Sequence, residues 1–279
     1  MVTPAARRSA VAYTSETHGV SERHSCRLLG VGRSTVRYRS TKTSDHALKD
    51  RLQVLANDRP RFGYRRLYLL LRREFGSLNH KRVYRLYKEA DLAVRRRRRK
   101  RVATGRKPLP TVDRPGVVWT MDFVRDTLAN GRPFRTLNVL DVFTRQCLAI
   151  EVDTSLPGQR VTRVLDGVAI DHGLPETIRV DNGPEFAGKV LDAWAYDRGV
   201  RLDFITPGKP IENAHVESFN GKFRDECLNQ HWFADLADAR AIIAAWRHDY
   251  NAVRPHSALG NLTPERFAQL PVPTAGLSL

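Results

Sequence analysis

VVWTMDFV at residues 117–124, FRTLNVLDV at 134–142 and QCLAIEV at 146–152 are apolar runs separated by turn formers, Ala129, Asn130 and Gly131 in the first gap and Thr144 and Arg145 in the second. Short runs bounded in this way read as strands, and their quick succession reads as an antiparallel meander. After residue 153 the period changes. Val161, Val164, Leu165 and Val168 recur at helical spacing, followed by the strand TIRV (177–180), a helix around Val190, Leu191 and Trp194, and the strand VRLDFI (200–205). One helix around Glu217 and another carrying Ala239, Ile242, Ile243, Trp246 and Tyr250 complete the region. Three strands followed by alternating helix and strand predict an α/β fold, a mixed five-stranded sheet with helices on both faces.

Upstream of residue 111 the chain is of a different kind. Residues 1–110 hold 29 Lys and Arg against 8 Asp and Glu, whereas residues 111–279 hold 18 against 22, so the formal net charge of +17 resides entirely in the N-terminal part. This segregation implies a polyanion-binding region joined to a domain with another task. Residues 4–40 read as three short helices, with Ser21 as the N-cap of SERHSCRLL and LGVG turning the chain into the basic RSTVRYR. Helix, glycine turn and basic helix make a helix-turn-helix pattern. A second helical unit places Leu48, Leu52 and Leu55 on one stripe and Tyr64, Leu67, Tyr68, Leu71 and Phe75 on another, after RFGY. Asn79 then caps HKRVYRLYKEADL, in which Lys81, Arg85 and Lys88 share one side, next to Arg82, while Val83, Tyr87 and Ala90 share the opposite one. One packed face and one cationic face suit a DNA backbone or groove. Arg95, Arg96, Arg97, Arg98, Arg99, Lys100 and Arg101 follow without interruption and read as a linker that tracks phosphates, before Pro108, Pro110 and Pro115. The expected organisation is a helix-turn-helix-like region (1–44), a second helical DNA-binding domain (45–94), a basic linker (95–112) and a catalytic domain (113–279).

No apolar run approaches membrane-spanning length. Cys26, Cys147 and Cys227 lie far apart with no CxxC pair, which predicts reduced, partly buried thiols in a cytosolic protein. His18, His24 and Cys26 lack the second cysteine that a zinc site needs, and His172, His231, His248 and His256 show no ligand spacing, so zinc is not expected.

The acids carry the chemistry. Asp122 lies mid-strand with Thr120 and Val124 on its side, and Asp181 ends the fourth strand, where open α/β sheets place ligand groups. Glu217 lies on a helix whose core stripe is Val216, Phe219, Phe223 and Cys227, and it points away from that stripe on the side of Gly221 and Arg224. Carboxylates from three distant segments suit a hard cation such as Mg²⁺ acting on phosphate. Asp126, Asp141, Glu185, Asp203 and Glu226 are rival candidates by position alone, Asp141 above all because it interrupts an apolar strand. His215 stands two residues from Glu217, about 200° round a helix, which favours packing or capping over ligation.

Several motifs narrow the choice. WTMDF, VDNGPEF, NAHVESFNGKFRDECLN and YNAVRPHSALGNLTPERF, with RFGYRRL and NHKRVYRLYKEADL upstream, cover nearly the whole chain. Residues 111–270 resemble the integrase core of the DDE superfamily, and the chain as a whole resembles the OrfB-type transposases of bacterial insertion sequences. The resemblance implies a ribonuclease-H-like fold, Asp122, Asp181 and Glu217 as catalytic and metal-binding residues, and Mg²⁺ or Mn²⁺ as cofactor, two ions per site. It implies that Arg224, with Lys222 beside it, contacts DNA. Asn182, Gly183, Glu185, Asn213, Asn220 and Gly221 are expected to support the site. Glu212 stands where relatives often have Gln, and His215 where an aromatic is common. The expected function is metal-dependent cleavage at element ends followed by 3′-OH attack on a target phosphodiester. Double-stranded DNA is the expected partner, with a homo-oligomer on DNA, a possible fusion to an upstream-frame DNA-binding protein, and a cytoplasmic, nucleoid-associated location. A nuclease on the same fold and an inactive DNA-binding remnant are the alternatives.

Overall fold

The computed structural model describes residues 3–39, 45–94, 112–183, 186, 188–205 and 213–271. Two compact units divide the chain, Met1–Ala47 and Leu48–Leu279. The first contains helices α1 (Pro4–His18), α2 (Glu22–Leu28) and α3 (Arg33–Arg37) around Val11, Cys26 and Val31. Ser21 accepts from the His24 N–H, so the expected N-cap of α2 is present.

From Leu48 onward α4 (His46–Asp58) belongs to the second unit, where it closes with α5 (Tyr64–Phe75) and α6 (His80–Glu89) on a core that includes Leu48, Leu52, Leu55, Leu67, Leu71, Val83 and Leu86. Asn79 caps α6 by accepting from the Lys81 N–H. The helix stops three residues short of the expected ADL end, because Asp91 takes a positive φ of 50° and the Leu92 N–H turns back to the Tyr87 carbonyl. Phe75, assigned to the stripe by its spacing, is exposed and Leu70 is buried instead.

The sheet has the order β3-β2-β1-β4-β5, with β1 (Val118–Thr127), β2 (Pro133–Asp141) and β3 (Cys147–Asp153) antiparallel, and β4 (Thr177–Val180) and β5 (Arg201–Phe204) parallel to β1. Strand alternation sorts β1 between two cores. Trp119 and Met121 face α7 (Gly158–His172) and α8 (Lys189–Arg198), whereas Val124 faces α9 (Ala214–Glu226) and α10 (Leu236–His248). Helices therefore cover both faces of a mixed sheet, as the succession of strands and helices predicts. Cys26, Cys147 and Cys227 are buried free thiols. Among the described residues, no helix is long and apolar enough to cross a membrane.

A π-helical turn, Asp249–Val253, follows α10 and locks the C-terminal segment onto the sheet. Asn251 accepts from the Cys147 N–H at 2.9 Å and donates to the Cys147 carbonyl at 2.8 Å, serving both backbone groups at the start of β3 as a neighbouring strand would. Asn251→Ala takes the side-chain acceptor from the buried Cys147 N–H and leaves the Cys147 carbonyl to Arg247 Nε at 3.2 Å, and is expected to cost about 1–3 kcal/mol in urea unfolding.

His256 donates from Nε2 to the Tyr250 carbonyl at 3.2 Å and packs edge-on against the Tyr250 ring. Burial, aided by the nearby Arg254 guanidinium, lowers its pKa from 6.5 to about 3. Because the folded pKa lies below the unfolded one, the stabilisation is complete above pH 6.5 and is lost progressively as the pH falls toward about 3. His256→Gln is expected to flatten the fall in stability across that window; an unchanged pH slope contradicts the assignment.

Candidate active site

Asp122 occupies the centre of β1, opposite Asn138 of β2. Its Oδ1 accepts from the Phe123 N–H at 2.7 Å, and its Oδ2 accepts from Asn220 Nδ2 at 2.6 Å. Asn220 is buried in α9, and its own oxygen accepts from Asn138 Nδ2 at 2.8 Å. Seven residues earlier, just before α9, Asn213 accepts from Thr120 Oγ1 at 2.5 Å. Seven residues are close to two helical turns, and Thr120 and Asp122 lie on one face of a strand, so α9 meets β1 along a line of side-chain hydrogen bonds. The Asn213 side chain is thereby committed to the sheet and does not cap the helix.

Asp181 is the first residue beyond β4, and its carboxylate accepts from the Gly183 N–H at 3.0 Å. Asn182 Nδ2 donates to the Ile205 carbonyl at 2.8 Å, tying this turn to the end of β5. Phe186, which is buried, donates its N–H to the Gly183 carbonyl and stacks on Phe123 with ring centroids 4.8 Å apart. The residue after Asp122 therefore holds the loop that carries Asp181. Glu217 is exposed in the first turn of α9, with Val216 and Phe219 buried behind it, and sits near the positive end of the helix dipole.

The three acids share one electrostatic environment. Asp122 is pushed up to about 6, chiefly by burial; the Phe123 N–H opposes this, and the negative charges of Asp181 and Glu217 both reinforce it. The donor set is oxygen only, which fits a hard divalent cation, and a cation would relieve the repulsion from Asp181 and Glu217 that adds to the effect of burial on Asp122. Among the described residues, no three His, Cys, Asp or Glu side chains are close enough to hold an ion together, so the carboxylates interact through charge without meeting at one point. His215 is half-buried, and burial together with Arg145, Arg179 and Lys222 lowers its pKa to about 4, which keeps the imidazole neutral near pH 7.

The rival acids have structural partners. Asp141 accepts from Gly116 N, Thr144 N and Thr144 Oγ1 at 2.7–2.8 Å and builds the β2–β3 turn. Glu226 binds Arg254, Asp203 binds Arg179, and Asp126 accepts from the Thr127 N–H. Glu185 and Glu212 lie outside the described residues.

Arg224 is exposed two turns from Glu217 and donates to the Arg125 carbonyl at 3.4 Å. Lys222 turns elsewhere, donating to Ser218 Oγ at 2.9 Å, and burial with help from Arg254 lowers its pKa to about 8. At Gly221 an added Cβ meets nothing within 4 Å, so the protein leaves open space there. Lys81, Arg85 and Lys88 are exposed on α6 and Arg82 is half-buried; Arg85 pairs with Glu89 at 2.9 Å. Arg95, Arg96, Arg97, Arg98, Arg99, Lys100 and Arg101 lie outside the described residues. Sequence reading missed Asn138, Arg179 and the Phe123–Phe186 stack. Arg179, only 8% exposed, sits beside Thr120 in the β1–β4 register. Asn138 and Arg179 each carried a signal, a polar residue inside an apolar run.

Residues 112–210 and 198–264 each match an integrase core domain, the first span containing Asp122 and Asp181 and the second Glu217. Residues 43–100 match an HTH-like domain. The chain is 52% identical over 255 residues, 91% of its length, to the 31.7 kDa protein of insertion element IS407 from Burkholderia multivorans, covering 92% of that protein. It belongs to the transposase family of bacterial insertion sequences.

The 39.2 kDa protein of IS476 from Xanthomonas euvesicatoria is 48% identical, with 95% of this chain and 77% of that protein aligned. In three dimensions this chain is similar in fold to a chain of the simian T-cell lymphotropic virus intasome in complex with PP2A regulatory subunit B56 gamma, with a TM-score of 0.53 at 16% identity over 81% of this chain and 78% of that one. Integrase cores are a polynucleotidyl transferase family, and in this chain the α9–β1 line joins the helix that carries Glu217 to the strand that carries Asp122. Asn220→Ala is expected to cost about 2–4 kcal/mol of stability, because it strips hydrogen bonds from both Asp122 and Asn138; denaturant titration measures this.

Proposed function

We propose that this chain cuts DNA at the ends of its insertion sequence to free a 3′-OH and joins that hydroxyl to a target phosphodiester. The observation that supports this most directly is that Asp181, at the end of β4, and Glu217, on α9, both act on Asp122 of β1, adding to the burial that chiefly raises its pKa to about 6. Asp122, Asp181 and Glu217 would hold the divalent cations, Mg²⁺ or Mn²⁺. When bound, such ions neutralise phosphodiester charge, activate the attacking oxygen and stabilise the leaving one.

The chain's own groups orient and bind. The Phe123 N–H and Asn220 fix the two oxygens of Asp122, and the Gly183 N–H fixes Asp181. Arg224 supplies an exposed guanidinium on the side of Glu217, suited to a phosphate oxygen. Lys81, Arg82, Arg85 and Lys88, followed by the basic run Arg95 to Arg101, would hold the element-end duplex through its phosphates. No covalent enzyme intermediate is required, because the DNA hydroxyl is itself the nucleophile. Two ends must be joined in step, so the working form is a dimer or larger assembly on DNA, in association with an upstream-frame DNA-binding protein where the element encodes one.

A duplex carrying the element's own terminal repeat and flanking DNA, labelled at the 5′ end of the strand whose 3′-OH is freed, tests the reaction. Asp122→Asn, Asp181→Asn and Glu217→Gln are each expected to lower cleavage and joining by about a thousandfold or more while changing duplex binding by less than about threefold. Cleavage that survives all three substitutions removes the acids from the mechanism. Products that are cut but never joined replace transposition with nuclease action.

A further inference from the structure

The C-terminal end of α9 is held from two sides, by the C-terminal segment of the sheet domain and by α5. Arg254, only 2% exposed, grips Glu226 with two parallel hydrogen bonds, Nε to Oε2 at 2.7 Å and Nη2 to Oε1 at 2.6 Å. The same carboxylate takes a third guanidinium contact from Arg66 of α5, at 3.4 Å. Arg73, seven residues further along α5 and so on the same face, donates to the Val253 carbonyl at 2.8 Å. Arg59, at the end of α4, pairs with Asp249, whose carbonyl receives the Arg254 N–H at 2.8 Å.

At the centre lies the buried ring of Phe62, with the guanidinium carbons of Arg66, Arg254 and Arg59 at 5.2, 5.6 and 5.9 Å from its centroid. Three like charges gather around one ring because the aromatic face attracts each and two carboxylates stand among them.

We propose that Arg66 and Arg59 are positioning residues for Glu217: they make the placement of the catalytic helix depend on the docking of the HTH-like helices. Glu226 is the shared contact. It is the last residue of the helix that carries Glu217, and it is gripped at once by the sheet domain through Arg254 and by α5 through Arg66. Asp249 does the same for the turn that delivers Arg254. A shift of α4 and α5 on DNA therefore pulls on the end of α9, whose other fixed points, Asn213 and Asn220, are bonded to Thr120 and Asp122 of β1. The inference rests on the reading of Glu217 as a catalytic acid, and its test separates the two.

Arg254 is too buried for a clean test, but Arg59 and Asp249 are 23% and 30% exposed and can be exchanged. In the full chain, Arg59→Glu and, separately, Arg66→Gln are expected to speed hydrogen exchange at the amides of Phe223 to Cys227 about tenfold, with β1 and β2 unchanged. Adding Asp249→Arg to Arg59→Glu is expected to restore protection to within about threefold. On a terminal-repeat duplex, Arg66→Gln is expected to slow cleavage at saturating DNA about fivefold and leave the half-saturating DNA concentration within about twofold. Wild-type exchange in both single variants, or no restoration by the swap, overturns the proposal, and so does a loss confined to DNA affinity. If the wild-type chain cleaves nothing, the catalytic reading fails by itself, and the exchange and swap results still decide whether the helices are coupled.

Discussion

The line of hydrogen bonds between α9 and β1 is the constraint on which the site depends. Thr120 to Asn213 and Asn138 to Asn220 to Asp122 are buried contacts in an interface that is otherwise aliphatic and aromatic. Apolar packing alone tolerates sliding of a helix over a sheet, because dispersion and burial have little directional preference. Amide and hydroxyl groups do not tolerate it, because each unmade bond leaves a desolvated dipole. The polar line therefore fixes the helix in register, and Glu217, on the exposed side of that helix between Asn213 and Asn220, takes its position relative to Asp122 from it.

The rest of the fold supports the same geometry at larger scale. The strand order puts β1 between β2 and β4, so Asp122 and the end of β4 are neighbours by topology, and the β1–β4 pairing is parallel. Phe123 and Phe186 add a second tie, from the opposite face of β1 to the loop behind Asp181. Each acid is thus held by a different kind of contact: a mid-strand position, an Asx-type turn, and a helix pinned by amides. None requires a neighbouring acid to be present, so Asp181 and Glu217 can repel Asp122, adding to the burial that chiefly raises its pKa, without the fold giving way.

Arginine has two roles in this chain. On α6 and in the basic run it supplies the charge suited to a polyanion, whereas Arg59, Arg66, Arg73 and Arg254 are structural, packed around Phe62 or spent on carboxylates and a carbonyl. Net charge by segment cannot distinguish the two roles, because a guanidinium counts the same whether it faces phosphate or Glu226. This explains why RFGYRRL reads from sequence as the opening of an amphipathic helix and a family motif, with no sign that its Phe62 and Arg66 form the junction with the sheet domain.

The sequence by itself determined the strand meander, the alternation that follows it, and the mixed sheet, because strand and helix periods are local properties of where apolar residues fall. It determined the caps at Ser21 and Asn79 and the direction of Glu217, which depend on a few adjacent residues. Motif resemblance singled out Asp122, Asp181 and Glu217 from acids that spacing alone left open. Only the tertiary structure decided that Asp141 is a turn-builder, that Asn138 completes the Asp122 network, that Phe75 and Val190 face outward, and that α4 and α5 grip the end of α9. Each of these depends on a partner tens of residues or more away or on which side of a helix another element covers. No local period encodes that; it is set by register and docking, which exist only once the chain has folded.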